Sequence, residues 1–323
     1  MEGGLGAAWR TAAAAADVDG LWRAHLEAGV RVDVLGGDGY PAMVAADHEA
    51  PALLFSRGDA GALTAGRRVA IVGTRRCTRY GRDVAWELGR DLAAAGVTVV
   101  SGLALGVDGA AHAGALEAGG GPPVAVVGSG LDVVYPRRHA GLWAAVAEAG
   151  LLLSEAPLGA RPEPWRFPVR NRVIAAVSEV VVVVESHVTG GSRYTVEAAE
   201  ARGRTVMAVP GPVRSPASAY TNTLLADGCP PARDAIDVLV ALGLSTAHDP
   251  GVVDRRSPPG PVEARVLEAL GWEAASLDDI VARAGLGPGQ ASLALARLQR
   301  DGWVGGAGGW WERIAQVPGL GSR

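Results

Sequence analysis

Six short apolar runs, separated by stretches with helical periodicity, constrain the fold of this chain most strongly. They are rich in valine, and none exceeds five residues: residues 69–72, 97–100, 124–127, 151–153, 180–184 and 206–209. Continuous β-branched runs of this length are typical of strands buried on both faces of a parallel sheet. Helical patterns lie between them, for example at residues 84–95, 108–118 and 195–202. This alternation indicates βαβ units, so we predict an α/β fold with a Rossmann-like, parallel, doubly wound sheet of six strands.

The N-terminal segment lacks this regular pattern. Residues 1–60 contain short alanine-rich stretches, a loop at residues 36–42 and a short apolar turn at residues 51–55. Because alanine favours helix, we predict a small helical N-terminal region and lead-in. The Rossmann-like domain is then expected at residues 61–244.

The C-terminal segment predicts a second, smaller domain. Residues 245–261 are rich in Pro, Gly, Asp and Ser, which is typical of a linker. Residues 262–316 contain three helical patterns, followed by a Gly-rich turn between two tryptophan-containing segments. This order predicts a winged-helix domain, and a small three-helix bundle with an irregular tail is the alternative.

The composition favours a cytoplasmic protein with no membrane partner. The apolar run at residues 180–184 is far shorter than the roughly 20 residues that a membrane helix needs. The N-terminus also lacks the basic patch and apolar stretch of a secretory signal. The cysteines, Cys77 and Cys229, are too few for a disulfide framework and have no metal-ligand spacing.

The distribution of charge indicates where an anion would bind. The net charge of −4 argues against general electrostatic attraction to nucleic acid. Residues 60–240, however, carry 18 arginines against 16 acidic residues, whereas the flanks carry 12 against 18. The chain has no lysine, so every basic side chain other than histidine is a guanidinium. The segment predicted to form the sheet is thus the part of the chain in which arginines outnumber acidic residues.

The loop after the first predicted strand combines glycine with arginine. Ligands of open α/β sheets bind beyond the carboxyl ends of the strands. From Arg67 to Arg82 the chain has six arginines and no acidic residue. The glycines allow close approach of the backbone, and the following helix would point free N–H groups at an anion. This pattern predicts a phosphate-binding loop; it lacks the G-x-G-x-x-G dinucleotide fingerprint, and a solvated basic turn is the alternative.

The loop after the fourth strand is the most informative. Residues 164–172 (PWRFPVRNR) interleave two aromatic residues with three arginines. Guanidinium groups suit phosphates and aromatic faces suit unpaired bases, so this composition predicts a single-stranded nucleic-acid site. A hydrophobic plug before a helix is the alternative. The predicted DNA-binding residues from all the loops are Arg75, Arg76, Thr78, Gly102, Gly106, Gly128, Ser129, Gly130, Trp165, Arg166, Phe167, Arg170, Asn171, Arg172, Gly191, Ser192 and Arg193.

Groups that would support catalysis are missing from these loops. They contain no clustered carboxylates for metal ions, no phosphate-loop lysine, and no Ser/His/Asp or Cys/His grouping. We therefore predict a binding protein rather than an enzyme, with no metal and no cofactor.

The order of the motifs resembles the DNA-processing protein A family (DprA, also called Smf). The segments that carry the resemblance include GTRRCTRYG, SGLALGVDGAAHAGAL, AVVGSGLDVVYP and PWRFPVRNR, and the match spans roughly residues 40 to 240. The C-terminal segment resembles the winged-helix domain often appended in that family. The resemblance implies a cytoplasmic homodimer that binds single-stranded DNA and loads the RecA recombinase during natural transformation. It also implies that Arg75 and Phe167 contact DNA, and Arg170 and Arg172 match the same motif as Phe167.

The chain departs from the family pattern in three segments. The usual Gly-Ser-Leu-Ile-Thr segment here contains Arg193 and Tyr194. A usual glycine is replaced by Tyr220, and Cys229 occupies a position where alanine is usual. We expect Arg193 to add a phosphate contact and Tyr220 to reshape the nearby loop.

Two other functions remain as alternatives. A Rossmann-like nucleotide phosphoribohydrolase has the signature P-G-G-x-G-T-x-x-E, which residues 190–197 echo faintly, with Tyr194 in place of a glycine. Alternatively, the winged-helix domain is the functional part and binds duplex DNA. Its third helix offers Gln290 as its main base-reading residue near the N-terminus, which favours a protein contact or weak duplex binding over sequence-specific regulation.

Overall fold

The structure, a computed structural model, describes residue 11, residues 13–244 and residues 256–314. Most of the predicted linker, at residues 245–255, lies outside the described residues. Residues 315–316 of the predicted winged-helix domain and parts of the N-terminal region also lie outside them. The chain divides into two compact units, residues 1–248 and residues 249–323.

The first unit is built on an eight-stranded sheet. Its strands are β1 (Arg31–Val34), β2 (Leu53–Gly58), β3 (Arg68–Val72), β4 (Thr98–Ser101), β5 (Val124–Val127), β6 (Leu151–Ser154), β7 (Val180–Val183) and β8 (Thr205–Ala208). The order across the sheet is β1-β2-β6-β5-β4-β3-β7-β8. Strands β3 to β8 are mutually parallel, which confirms the six predicted strands to within about a residue at each end. Strands β4, β5 and β6 lie on one side of β3, and β7 and β8 lie on its other side. The loops that follow β3 and β7 therefore run in opposite directions along the edge of the sheet.

The N-terminal region contributes more than the expected helix. A helix is present, α1 (Val18–Glu27), but the predicted apolar turn at residues 51–55 leads into strand β2. Strand β2 pairs antiparallel with β1 on one side and with β6 on the other. The prediction missed it because the three apolar residues 53–55 are too short a run to show periodicity, and their pairing partner is about a hundred residues away.

Helices cover both faces of the sheet. They are α2 (Ala42–Ala45), α3 (Arg79–Ala94), α4 (Val107–Ala118), α5 (Ala140–Ala149), α6 (Arg166–Val177), α7 (Arg193–Glu200), α8 (Ala219–Ala226) and α9 (Ala235–Ala241). Side chains of α2, α6, α7 and α8 pack in one core with Ala70 and Val72 of β3. Those of α3, α4 and α9 pack in another core with Val69 and Ile71, which point to the opposite face. The sheet is therefore buried on both faces, as its continuous apolar strands require.

Helices α3 and α4 approach each other closely through two glycines. A Cβ atom at Gly89 of α3 would lie 2.1 Å from the carbonyl oxygen of Ala111 in α4. A Cβ atom at Gly114 of α4 would lie 2.0 Å from the carbonyl oxygen of Trp86 in α3. Each glycine thus leaves room for the backbone of the other helix, which sets the spacing of the two helices that follow β3 and β4.

The second unit has the predicted winged-helix arrangement. It contains α10 (Pro261–Leu270), α11 (Leu277–Ala284) and α12 (Pro288–Arg300), followed by the hairpin of β10 (Val304–Ala307) and β11 (Trp310–Arg313). A short strand that the sequence did not indicate, β9 (Ala275–Ser276), pairs with β11. Leu267, Ile280, Leu295 and Val304 form its core.

Within the described residues, no helix is long and apolar enough to cross a membrane. Over the same residues, no group of three or more His, Cys, Asp or Glu side chains is arranged to hold a metal ion.

We predict that Gly114→Ala destabilises the protein by about 1–3 kcal/mol, because the added methyl group forces the α3 and α4 backbones apart. Gly141→Ala is the matched control, since Gly141 lies in α5 with no atom within 4 Å of the added Cβ. It should leave stability unchanged or raise it by up to about 1 kcal/mol through helix propensity. Urea unfolding followed by circular dichroism measures both, and equal effects of the two substitutions would contradict the close-packing explanation.

Candidate nucleic-acid interface

A cleft of about 550 Å³ opens at the carboxyl ends of the parallel strands. Its walls come from the loops after β3, β4, β5, β6 and β7, and include Arg75, Arg76, Ala104, Asp108, Tyr135, Pro164, Phe167, Arg170, Asn171, Gly191, Ser192 and Tyr194. A smaller recess of about 100 Å³ shares Arg75, Tyr135, Phe167 and Arg170, and adds Gly102, Gly128 and Ser129. The structure therefore brings residues from all five predicted loops to one place.

This edge of the sheet is electropositive although the chain is acidic. The loops at the carboxyl ends of β3 to β8 (residues 73–82, 102–108, 128–139, 154–166, 185–193 and 209–218) contain 10 arginines and 5 acidic residues, a balance of +5. The remainder of the chain contains 20 arginines and 29 acidic residues, a balance of −9. Anions are thus attracted to this edge and repelled from the rest of the chain.

Arg75 and two aromatic rings form a stacked cluster at the cleft. The Arg75 guanidinium carbon lies 4.7 Å from the centroid of the Phe167 ring. The Tyr135 ring is 5.5 Å from the Phe167 ring, with a tilt of 37°. Arg75 and Arg76 are exposed, and Tyr135 is 39% exposed. A cation and aromatic faces are thereby presented together to solvent, which is the pair of groups that a phosphate and an unpaired base require.

Arg170, predicted as a DNA contact, is buried beneath this cluster. Its Nη1 donates to the carbonyl oxygens of Gly102 (3.0 Å) and Val126, and its Nε donates to Oδ1 of Asn171 (3.1 Å). Burial lowers the pKa of Arg170 to about 10, and the Asp108 carboxylate opposes that shift. Burial also raises the pKa of Asp108, although Arg170 lowers it. Most of this guanidinium is therefore engaged within the protein, where it joins α6 to the ends of β4 and β5.

Two of the predicted glycines make room for side chains of α6. A Cβ atom at Gly102 would lie 2.5 Å from Nη2 of Arg170. A Cβ atom at Gly128 would lie 3.2 Å from the Phe167 ring. Gly102 therefore accommodates the buried guanidinium, and Gly128 accommodates the half-buried Phe167 ring.

Three predicted residues in α6 or just before it, Trp165, Arg166 and Arg172, lie outside the cleft lining. Arg172 donates to the carbonyl oxygen of Glu49 (2.6 Å) and forms an ion pair with Glu155, so it holds the N-terminal lead-in. The Arg166 guanidinium lies 4.5 Å above the ring of Trp165, which is 58% exposed. The sequence motif places Arg172 with Arg170 and Phe167, but side chains at different positions of a helix point in different directions, and that of Arg172 points away from the cleft.

The loop before α7 is attached to the cleft by polar contacts. Nδ2 of Asn171 donates to the carbonyl oxygen of Gly191 (3.4 Å), and the hydroxyl groups of Ser192 and Ser186 are 2.6 Å apart. Arg193 does not line the cleft. Its guanidinium lies 5.9 Å from the Tyr220 ring and 3.6 Å from Glu197, so two of the departures from the family pattern contact each other.

The remaining predicted residues shape the loops. Thr78 caps helix α3, because its hydroxyl accepts from the N–H of Gly81 (3.1 Å). Gly106 adopts a φ of +82°, and a Cβ atom there would lie 2.4 Å from the carbonyl oxygen of Thr74. The Ser129 hydroxyl donates to Val133 (2.7 Å), and the N–H of Gly130 donates to Ala160 (2.9 Å).

Several exposed residues at this edge were missing from the predicted set. Tyr135 and Tyr194 both line the cleft. Arg137 and Arg138 follow Tyr135 and are exposed. The tyrosines could have been identified, since each lies within a strand-end loop or at the start of the helix after it.

The second unit offers less to a phosphate backbone. On α12, Arg297 forms an ion pair with Glu263 (3.0 Å) and Arg300 with Asp301 (2.7 Å). Leu293, on the same helix, is 55% exposed. A phosphate would have to displace these carboxylates, so α12 is a weaker candidate than the cleft for binding DNA.

Comparison with known proteins matches both units. A model of the family described as DNA recombination-mediator protein A matches residues 32–243, and a model of the DprA winged helix domain matches residues 254–309. The chain is 41% identical over 249 residues to the putative DNA processing protein DprA of Mycobacterium tuberculosis, covering 76% of this chain and 64% of that protein. It is 36% identical over 219 residues to DNA processing protein DprA of Bacillus subtilis, covering 68% of this chain and 73% of that protein. The chain thus spans less than two thirds of the Mycobacterium tuberculosis relative.

Two solved structures share the fold. The structure of DNA processing protein A from Streptococcus pneumoniae has a TM-score of 0.60 and 35% identity, covering 68% of this chain and 77% of that one. DNA processing protein A from Helicobacter pylori, described for its single-stranded DNA binding mode, has a TM-score of 0.59 and 29% identity. That match covers 66% of this chain and 95% of the other.

We predict that Arg170→Leu lowers the free energy of unfolding by about 3–5 kcal/mol, because it leaves the Asp108 carboxylate buried without its nearby cation. Arg75→Leu is the matched control. It removes an exposed guanidinium and should cost no more than about 1 kcal/mol, the value of its contact with Phe167. Urea unfolding measures the stability of both variants. A similar decrease in the free energy of unfolding in both would show that Arg170 is no more important for stability than the exposed Arg75.

Proposed function

The chain belongs to the DNA recombination-mediator protein A family, and from this we propose that it binds single-stranded DNA in the arginine-lined cleft of its first unit. The observation that carries the proposal is the cluster of Arg75, Phe167 and Tyr135. It supports binding of a strand through both its phosphates and its bases. The binding mode for which the Helicobacter pylori structure is described supports the same ligand class.

In this proposal, Arg75 and Arg76 neutralise phosphates while Phe167, Tyr135 and Tyr194 provide faces for unpaired bases. Stacking of this kind tolerates any base, so little sequence preference is expected. Arg137 and Arg138 extend the positive surface beyond Tyr135. Arg170 and Arg172 act indirectly, since they hold α6 and therefore the position of Phe167.

The wider role follows from the family resemblance. We propose that the protein protects incoming DNA and loads RecA recombinase onto it during natural transformation and recombination, acting as a homodimer in the cytoplasm. The strand-binding cleft supports this role because a recombination mediator has to hold the DNA that the recombinase will coat.

We expect the parent protein to bind a single-stranded oligonucleotide at least about tenfold more tightly than a duplex of equal length, because duplex bases are not free to stack on Phe167. Fluorescence anisotropy at a fixed salt concentration measures both affinities. A preference for duplex would contradict the proposal and direct attention to the second unit.

Two substitutions in the cluster should differ in their salt dependence. Arg75→Ala should weaken binding and reduce the slope of log affinity against log salt by about 0.7, since one phosphate contact is lost. Phe167→Ala should weaken binding by about 1–3 kcal/mol per lost stack and leave the slope unchanged, because stacking releases no counterion. Arg233→Ala is the control, because Arg233 is exposed, pairs with Asp237 and does not line the cleft. Identical slopes in the Arg75→Ala variant and the parent would remove Arg75 from the interface.

A further inference from the structure

We infer that Glu185 is a positioning residue that fixes the shape of the arginine loop, defined as residues 74–78, and this inference rests on the proposed function. Glu185 follows strand β7 and is 1% exposed. A buried carboxylate is costly unless its oxygens accept hydrogen bonds. Within the described part of the chain, the hydrogen bonds of Glu185 all go to the arginine loop, which lies more than a hundred residues earlier.

The contacts hold the arginine loop at both ends. The N–H of Thr78 donates to Oε2 of Glu185 (2.8 Å), and the Thr78 hydroxyl donates to Oε1 (2.6 Å). The N–H of Thr74 donates to the backbone carbonyl oxygen of Glu185 (2.7 Å). Arg75 and Arg76 lie between these two attachment points, so the backbone that carries them is held by one residue, Glu185, in the loop after β7.

Two glycines make the same contact possible. A Cβ atom at Gly81 would lie 2.3 Å from Oε2 of Glu185, and a Cβ atom at Gly73 would lie 2.7 Å from its carbonyl oxygen. The glycines that flank the arginine loop therefore leave room for Glu185. This gives part of the Gly-Thr-Arg-Arg-Cys-Thr-Arg-Tyr-Gly pattern a structural reason besides its contact with a ligand.

Glu185 can affect DNA binding in two ways, by positioning the arginine loop or through its negative charge, and the geometry allows the two to be distinguished. Among the described residues, Glu185 forms no ion pair, and its partners are a hydroxyl and backbone N–H groups. A negative charge beneath the arginine loop repels a phosphate, so removal of the charge alone should strengthen DNA binding. Loss of the loop geometry should weaken it. The two roles thus predict opposite signs for the same substitution.

The test is the substitution Glu185→Gln in the full chain, with binding of a single-stranded oligonucleotide measured by anisotropy. Glutamine keeps the size of the side chain, but its amide group cannot accept both Thr78 hydrogen bonds through two oxygens. We expect binding about tenfold weaker than that of the parent, equivalent to about 1.4 kcal/mol. Glu117→Gln is the matched control, because Glu117 is an exposed carboxylate of α4 that does not line the cleft, so the variant loses the same charge and should bind like the parent.

A double-mutant cycle with Arg75→Ala shows whether Glu185 acts through the arginine loop. If it does, Glu185→Gln should cause little further loss of affinity once Arg75 is absent. The inference would be overturned if Glu185→Gln bound DNA as tightly as the parent or more tightly. It would also be overturned if Glu185→Gln reduced the affinity by the same factor in the Arg75→Ala variant as in the parent. If circular dichroism shows that Glu185→Gln is unfolded, Thr78→Val replaces it in the same cycle, since valine removes the hydroxyl bond to the carboxylate. A parent protein that does not bind single-stranded DNA would instead contradict the proposed function.

Discussion

The hydrogen bonds from the buried Arg170 guanidinium to Gly102 and Val126 join helix α6 to the ends of strands β4 and β5. The rest of the cleft depends on this junction, because α6 also carries Phe167, whose ring contacts Arg75 from the loop after β3. A buried cation has to be satisfied by oxygens or by an opposite charge, and here carbonyl oxygens and the nearby Asp108 do so. The position of the half-buried Phe167 ring is in this way set by a polar contact in the interior.

The arginines at this edge of the sheet have distinct roles that follow from their surroundings. Arg75 and Arg76 are exposed and line the cleft, and neither forms an ion pair with a described carboxylate, so they can neutralise a phosphate without breaking one. Arg172 is bound to Glu49 and Glu155 and holds the N-terminal lead-in against α6. Arg193 faces Tyr220 and Glu197 and lies outside the cleft lining. A count of arginines therefore locates the electropositive edge but does not identify which guanidinium groups are available.

Much of the architecture could be predicted because its signals are local. The six parallel strands appear as continuous apolar runs, since both faces of each strand are buried, and the loops after them converge because parallel strands end at one edge. The sequence did not predict β1 and β2. Strand β1 pairs with β2, and β2 in turn depends on antiparallel pairing with β6, which lies far away in the chain. The contact between Glu185 and Thr78 escaped prediction for the same reason, since it joins residues 107 positions apart.

The sequence by itself determined the parallel sheet, the five strand-end loops that line the cleft, and the placement of arginine and aromatic residues in them. Tertiary structure alone decided which of those residues are exposed in the cleft. It buried Arg170 in the cleft wall, turned Arg172 towards Glu155 and left Arg75 exposed beside Phe167. The physical reason is that the exposure and pairing of a charged side chain depend on partners brought together by folding from distant parts of the chain, and these partners leave no periodic signal in the residues around it.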